Sequence, residues 1–203
     1  MLKQLRGRAE LFGSSKAALP YAPTWPLAAV LLAVTDDSDN PEVILTLRAD
    51  HLSTHSGEVS FPGGKVDAID TSLGETALRE SHEEIGLDPS RVTVLGSMPS
   101  VLTRWKIDVT PIVGIVPADI ELSPNFDEID SIFRVPLHYL LRDERVRTDV
   151  FRRQHIEFWA PVYHYEGYEI WGFTAGILVE FLNKVFDAEI RIDSSNAPQK
   201  LFT

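Results

Sequence analysis

Two signals fix a helix at both of its ends. Ser72, with Glu75 three residues on, reads as a capping box, and Gly86 stands where a left-handed residue closes a last turn. Inside that helix the stretch "RESHEEIG" (residues 79–86) carries three carboxylates and one arginine within eight residues. Like charges at this spacing repel, so the helix gains no stability by grouping them. With about 100° of turn per residue and Glu80 set as origin, Glu84 lies at about 40° and Glu83 at about 300°, a single acidic arc. Leu78, Ser81 and Ile85 gather on another side, with Ala77 at its edge, and this side is predicted to meet a sheet. Ser81 is the polar residue on that side, and its hydroxyl is expected to bond back to the helix backbone. Arg79 is flanked by Glu75 and Glu83 at i−4 and i+4, a spacing suited to ion pairs.

The plain explanation of an acidic arc is a solvated surface. Two features weigh against it. The acids sit at the helix C-terminal end, where the dipole disfavours negative charge. They also follow "FPGG" (residues 61–64), where Pro62 and Gly63 suit the centre of a type II turn and the backbone can come close to a phosphate. Glu80 and Glu84 at i, i+4 reach one cation together, and Mg²⁺ is usually held by one or two carboxylates plus substrate phosphate. The arc is therefore read as an exposed metal-binding face.

The rest of the chain supplies strands. Apolar or β-branched runs occupy residues 28–35, 42–48, 57–61, 92–98, 108–116, 131–137 and 155–165. "DDSDNP" makes a polar turn between the first two, residues 1–12 form a short helix, and residues 172–186 form a second long one. Strands interspersed with helices predict an α/β fold, a mixed sheet covered by helices. At 203 residues and 44% hydrophobic content the chain is expected to be one domain, 1–203, with an N-terminal extension of about 25 residues.

No cysteine is present, which removes disulfides, thiolate zinc sites and cysteine nucleophiles. A net charge of −11 argues against nucleic acid polymers as partners but permits a phosphorylated small molecule met through a divalent metal. The longest apolar run, residues 26–34, is about half a membrane span. The start lacks a secretory pattern and the end lacks an address signal, so a cytoplasmic protein with no membrane partner is expected. A homodimer is compatible with all of this.

Residues 64–87, "GKVDAIDTSLGETALRESHEEIGL", resemble the Nudix box, with Arg79-Glu80, Glu83-Glu84, Gly86 and Leu87 in register. Thr71 holds the place of the usual acid before the arginine, and Asp70 substitutes one residue earlier. Upstream, residues 44–64 are similar to the motif of coenzyme A pyrophosphatases, through Arg48-Ala49, Gly57 and Phe61-Pro62-Gly63-Gly64. Ser53 stands where that motif has an arginine.

The resemblance implies a Nudix-type α/β/α sandwich and Mg²⁺- or Mn²⁺-dependent hydrolysis of the coenzyme A diphosphate to 3′,5′-ADP and 4′-phosphopantetheine. It implies Glu80 and Glu84 as principal metal ligands, with Glu83 direct or through water, and Arg79 orienting a carboxylate. Gly63 and Gly64 keep the loop open to the metal–diphosphate unit. Arg48 is the candidate contact to phosphate, and His55 a further candidate for substrate. The candidate general base is Glu128, with Asp127 and Asp130 as competitors. The alternatives are the same chemistry on ADP-ribose, dinucleoside polyphosphates or nucleoside triphosphates, and a nucleotide-binding module that does not cut. His51, His82, His138, His155 and His164 form no zinc-type pair. Trp105, Trp159 and Trp171 are expected in the core, with base stacking as their other use.

Overall fold

The computed structural model describes residues 1–20, 22–51, 57–153 and 156–202. After the short helix α1 (Leu2–Gly7) come β1 (Leu27–Asp36), β2 (Glu42–Arg48), β3 (Val59–Ser60) and β4 (Gly63–Lys65). Helix α2 (Leu73–Ile85) follows, then β5 (Thr93–Ser97), β6 (Val101–Leu102), β7 (Asp108–Pro117) and β8 (Ile129–Pro136). The chain closes with α3 (Leu137–Leu141), β9 (Arg147–Arg153), β10 (Ile156–Tyr165), β11 (Tyr168–Ile170), α4 (Gly172–Phe186) and β12 (Gln199–Phe202).

Strands β1 to β8 form one mixed sheet with the spine β3-β2-β1-β7-β5, to which β4, β6 and β8 add through β1, β7 and β2. The central pair is parallel, from Leu27 opposite Asp108 to Asp36 opposite Pro117. Strand β1 is apolar on both of its faces because both are covered, as parallel strands require. Ala29, Leu31 and Ala33 join Ile44 of β2 and Ala77 and Ile85 of α2 in one cluster. Leu32 and Val34 join Val43, Leu45 and α4 residues Leu178 and Phe181 in the other. The sheet thus lies between α2 and α4, the expected sandwich, and Leu2 and Leu5 of α1 are buried in the α4 cluster.

A second sheet of four strands, ordered β11-β10-β9-β12, extends that layer beyond the expected sandwich. Ala160, Tyr163 and Ile170 bury against α4 from it. Strand β9 is hidden from sequence patterning because Thr148 and Asp149 are buried within it. Asp149 is stabilised there by Arg147, whose Nε donates at 2.8 Å. Buried Arg145 ties this sheet to the C-terminal segment: it donates to the Arg191 carbonyl at 3.0 Å and to Ser194 Oγ at 2.9 Å, and pairs with Asp143.

Helix α2 starts and stops where its sequence says. Ser72 Oγ accepts from the Glu75 N–H at 3.3 Å, and Gly86 is left-handed at φ +66°. The Glu75 carboxylate reaches past the cap to the N–H of Thr71 at 2.8 Å and to its hydroxyl at 2.7 Å, so it does not flank Arg79. Ser81 and Ile85 are fully buried, and the Ser81 hydroxyl donates to the Ala77 carbonyl at 2.6 Å.

Two expectations are corrected. Trp105 is 58% exposed, with the Arg104 guanidinium 4.7 Å from its ring centroid, and so is not a core residue. The segment around Pro62 is a bend that runs directly into β4, not a type II turn, because Gly63 and Gly64 pair with Val30 and Ala29.

Gly63 has φ +149°, and a Cβ there would lie 2.4 Å from the Ala29 carbonyl oxygen. Both the backbone and the neighbouring strand exclude a side chain. Gly63→Ala is therefore expected to cost about 3 kcal/mol, combining backbone strain with overpacking. For a chain of this size that lowers Tm by roughly 10 °C, which a thermal melt followed by circular dichroism measures; an unchanged Tm contradicts the packing described.

Candidate active site

Helix α2 lies along β4, and three of its side chains meet the three successive residues of the strand. Arg79 Nη2 donates to the Lys65 carbonyl at 3.0 Å. The Glu80 carboxylate covers Gly64, where a Cβ would come within 2.4 Å of its Cδ. Glu84 Oε2 accepts from the Gly63 N–H at 2.9 Å. Glycine at position 64 is thus what lets a carboxylate rest against bare backbone.

Arg79 is the most heavily bonded residue of the site. Its Nε and Nη2 grip the two oxygens of Asp70, each at 3.0 Å, while Nη1 lies 3.0 Å from both Glu80 Oε1 and Glu83 Oε2. Asp70 also accepts from Thr76 Oγ1 at 2.9 Å and from the Asp67 N–H at 2.8 Å. The guanidinium, first of all, holds the Asp70 carboxyl below the usual range despite its burial. The one-residue displacement from Thr71 to Asp70 has a local cause: Thr71 is engaged by Glu75, and the residue before it faces the arginine.

Glu84 is not on an exposed face, as the helical wheel suggested. It is 2% exposed, because Arg48 of β2 and the β4 backbone close over it. Arg48 lies in step with Ile44 on the α2 side of β2, and its Nη1 donates to Glu84 Oε1 at 3.2 Å. Burial pushes the Glu84 carboxyl up to about 7; the Gly63 N–H and Arg48 oppose the rise, and the charges of Glu128 and Glu80 add to it. Glu80 is raised as well, by burial first, then by Glu83 and Glu128 against the pull of Arg79. Glu83 points outward, with its side chain 55% exposed.

Glu128 is therefore close enough to act electrostatically on both Glu80 and Glu84. The sequence contains no pattern for this proximity; it arises from backbone bonds. The Ser123 and Asn125 N–H groups donate to the Ile85 and Glu84 carbonyls at 3.0 and 2.8 Å, closing the carboxyl end of α2. The Asn125 carbonyl accepts from the N–H groups of Glu128 and Ile129, and the Glu128 carbonyl accepts from the Ala49 N–H at 2.9 Å. Asn125 Oδ1 also accepts from the Asp127 N–H at 3.2 Å, an Asx turn that the run Asn-Phe-Asp could have signalled. Of the competing acids, Asp127 offers its carbonyl to a His51 ring nitrogen at 3.1 Å, and Asp130 is exposed at the start of β8. His55 and Ser53 lie outside the described residues.

Among the described residues no three acids or histidines are drawn together tightly enough to be a preformed metal cage. Each acid is engaged by the nearest donor: Glu84 by Gly63 and Arg48, Glu80 and Glu83 by Arg79. The donor set is nonetheless that of a hard cation, carboxylate oxygens without sulfur. Glu80, Glu84 and Glu128 add up to more negative charge than Arg48 offsets, and Arg79 is already committed to Asp70. The residues fit a divalent cation.

Residues 25–157 match the family model described as the NUDIX domain. The chain is 41% identical over 155 residues to the protein named "Uncharacterized Nudix hydrolase NudL" of Enterobacter sp. (strain 638), covering 75% of this chain and 79% of that one. It is 42% identical over 155 residues, with the same coverage, to the protein of that name from Escherichia coli O7:K1 (strain IAI39 / ExPEC). Among solved structures, the Nudix hydrolase RenU of M. smegmatis is 20% identical, with a TM-score of 0.47 over 60% of this chain and 84% of that one. The matched segment runs through the whole α2–β4 edge and Glu128, and this chain belongs to the Nudix hydrolase family.

Proposed function

We propose that this Nudix hydrolase cleaves the diphosphate bond of coenzyme A or its derivatives, giving 3′,5′-ADP and 4′-phosphopantetheine or its acyl form. One observation carries the reading: the two sequence motifs meet on one carboxylate. Arg48 and Gly63, from the coenzyme A-type stretch, both donate to Glu84 of the Nudix box. We read residues 1–203 as a single catalytic domain in the cytoplasm; among the described residues no helix is long and apolar enough to cross a membrane.

In this reading Glu80 and Glu84 hold Mg²⁺ or Mn²⁺, with Glu83 assisting. When bound there, such an ion would lend an activated water and offset the charge of the diphosphate oxygens. Arg79, fixed by Asp70, keeps Glu80 and Glu83 in position. Gly63 and Gly64 give the Glu84 and Glu80 carboxylates bare backbone to rest against. Glu128 accepts the proton of the attacking water, whose oxygen bonds to one phosphorus as the bridging P–O bond breaks and its electron pair leaves with the other phosphate. Support for Glu128 is its electrostatic reach to Glu80 and Glu84 and the backbone clamp behind it.

Three outcomes are expected. A panel of coenzyme A, acetyl-coenzyme A, ADP-ribose, a dinucleoside tetraphosphate and nucleoside triphosphates, with Mg²⁺ or Mn²⁺ and products weighed by mass spectrometry, releases 3′,5′-ADP from coenzyme A fastest. Preference for another substrate discards the coenzyme A assignment. Glu128→Gln lowers kcat by about 10²- to 10⁴-fold, the usual range for a general base, with KM nearly unchanged; a loss under tenfold moves the role to another acid. Glu84→Gln abolishes metal-dependent turnover without loss of stability in a denaturant melt, because burial already disfavours the ionised carboxylate there. Retained activity removes Glu84 from the metal site.

A further inference from the structure

Two arginines serve the acids of this site, and they are held very differently. Arg79 makes a two-point grip on Asp70, two more acid contacts and a bond to a carbonyl. Arg48 touches Glu84 through one N–H···O contact of 3.2 Å, beyond the 2.7–2.9 Å of strong charged hydrogen bonds. Its side chain keeps 22% exposure, against 3% for Glu84. The Arg48 backbone is pinned: its N–H donates to the Glu58 carbonyl and its carbonyl accepts from the Gly57 N–H, both at 3.1 Å. The guanidinium end is not pinned in this way, and it meets Glu84 at the rim of the site.

Glu84 needs a cation. A buried carboxylate without one is costly, and removing one member of such a pair is far worse than exchanging it. Arg48 fills that need through the same carboxylate that the proposed function gives to the metal.

We propose that Arg48 is an exchangeable counter-ion. It neutralises Glu84 until a divalent cation takes over that task, and then turns its guanidinium to a phosphate of the substrate. The inference rests on the metal and substrate assignments of the proposed function. It makes metal and phosphate binding interdependent: the metal frees the arginine that the phosphate needs, and by linkage each raises the affinity of the other. A metal-poor enzyme then keeps the Arg48 guanidinium from nucleotides.

The test separates exchange from fixed support. Mn²⁺ binding is measured by titration calorimetry without nucleotide, at mildly alkaline pH, for wild type and Arg48→Ala. Exchange predicts that the variant binds Mn²⁺ at least about fivefold more tightly, the lower end of common coupling strengths, because a competitor has gone. Equal or weaker binding overturns the proposal and leaves Arg48 as a support for Glu84. A second measurement needs no variant. Phenylglyoxal modification of Arg48 in the wild type, followed by mass spectrometry, speeds up on adding Mg²⁺ and slows again with 3′,5′-ADP; a rate indifferent to Mg²⁺ overturns exchange. If wild type binds no 3′,5′-ADP with or without metal, the coenzyme A reading falls, while the Mn²⁺ and Mg²⁺ responses still decide the role of Arg48.

Discussion

The grip of Arg79 on Asp70 is the contact on which the site depends. It joins residues from the β4–α2 connection and the middle of α2, and it is bidentate at 3.0 Å on each side. A guanidinium suits this role because its planar fork meets both carboxylate oxygens at once, which an ammonium cannot do. The same group then reaches the Lys65 carbonyl, Glu80 and Glu83. Sequence spacing alone accounts for the contact to Glu83. Glu80 is the next residue in the chain, while the contacts to Asp70 and Lys65 require the chain between β4 and α2 to fold back, and Asp67 and Thr76 support that fold by donating to Asp70.

Much of this was legible because local rules dominate α2. Capping at Ser72, termination at Gly86 and the buried hydroxyl of Ser81 follow from near neighbours, and the structure agrees with each. The helical wheel failed at Glu84 because it ranks faces by residue type. It carries no knowledge of Arg48, which approaches from a strand 36 positions away and makes burial tolerable. The same reasoning explains β9. Its buried Asp149 is matched by Arg147 two residues before it, so a strand interior carries charged residues where the pattern requires apolar ones. Trp105 departs from its pattern in the opposite direction: a large aromatic stays exposed, with the Arg104 guanidinium against its ring.

Glycine has a different role at each of two adjacent positions. At Gly63 the constraint is backbone against backbone, since neither the dihedral nor Ala29 permits a side chain. At Gly64 it is backbone against carboxylate, since the Glu80 head group fills the space. Loop chemistry alone identifies both as glycines with a purpose but does not distinguish the purposes. The loop carrying Glu128 shows the complementary limit: main-chain bonds from Ser123 and Asn125 position it, and these are almost independent of side-chain identity.

The parallel pairing of β1 with β7 also governs how the molecule is assembled. Leu27 must find Asp108, and β2 must find β8, across long intervening chain. Closing such loops costs entropy before any contact rewards it, and folds rich in distant pairings form slowly. Helix α2 lies within the first of these loops and carries its own start and stop signals, so it can form before the strands on either side of it meet. The helix that carries Arg79, Glu80, Glu83 and Glu84 is thereby available to the fold before the central sheet closes around it.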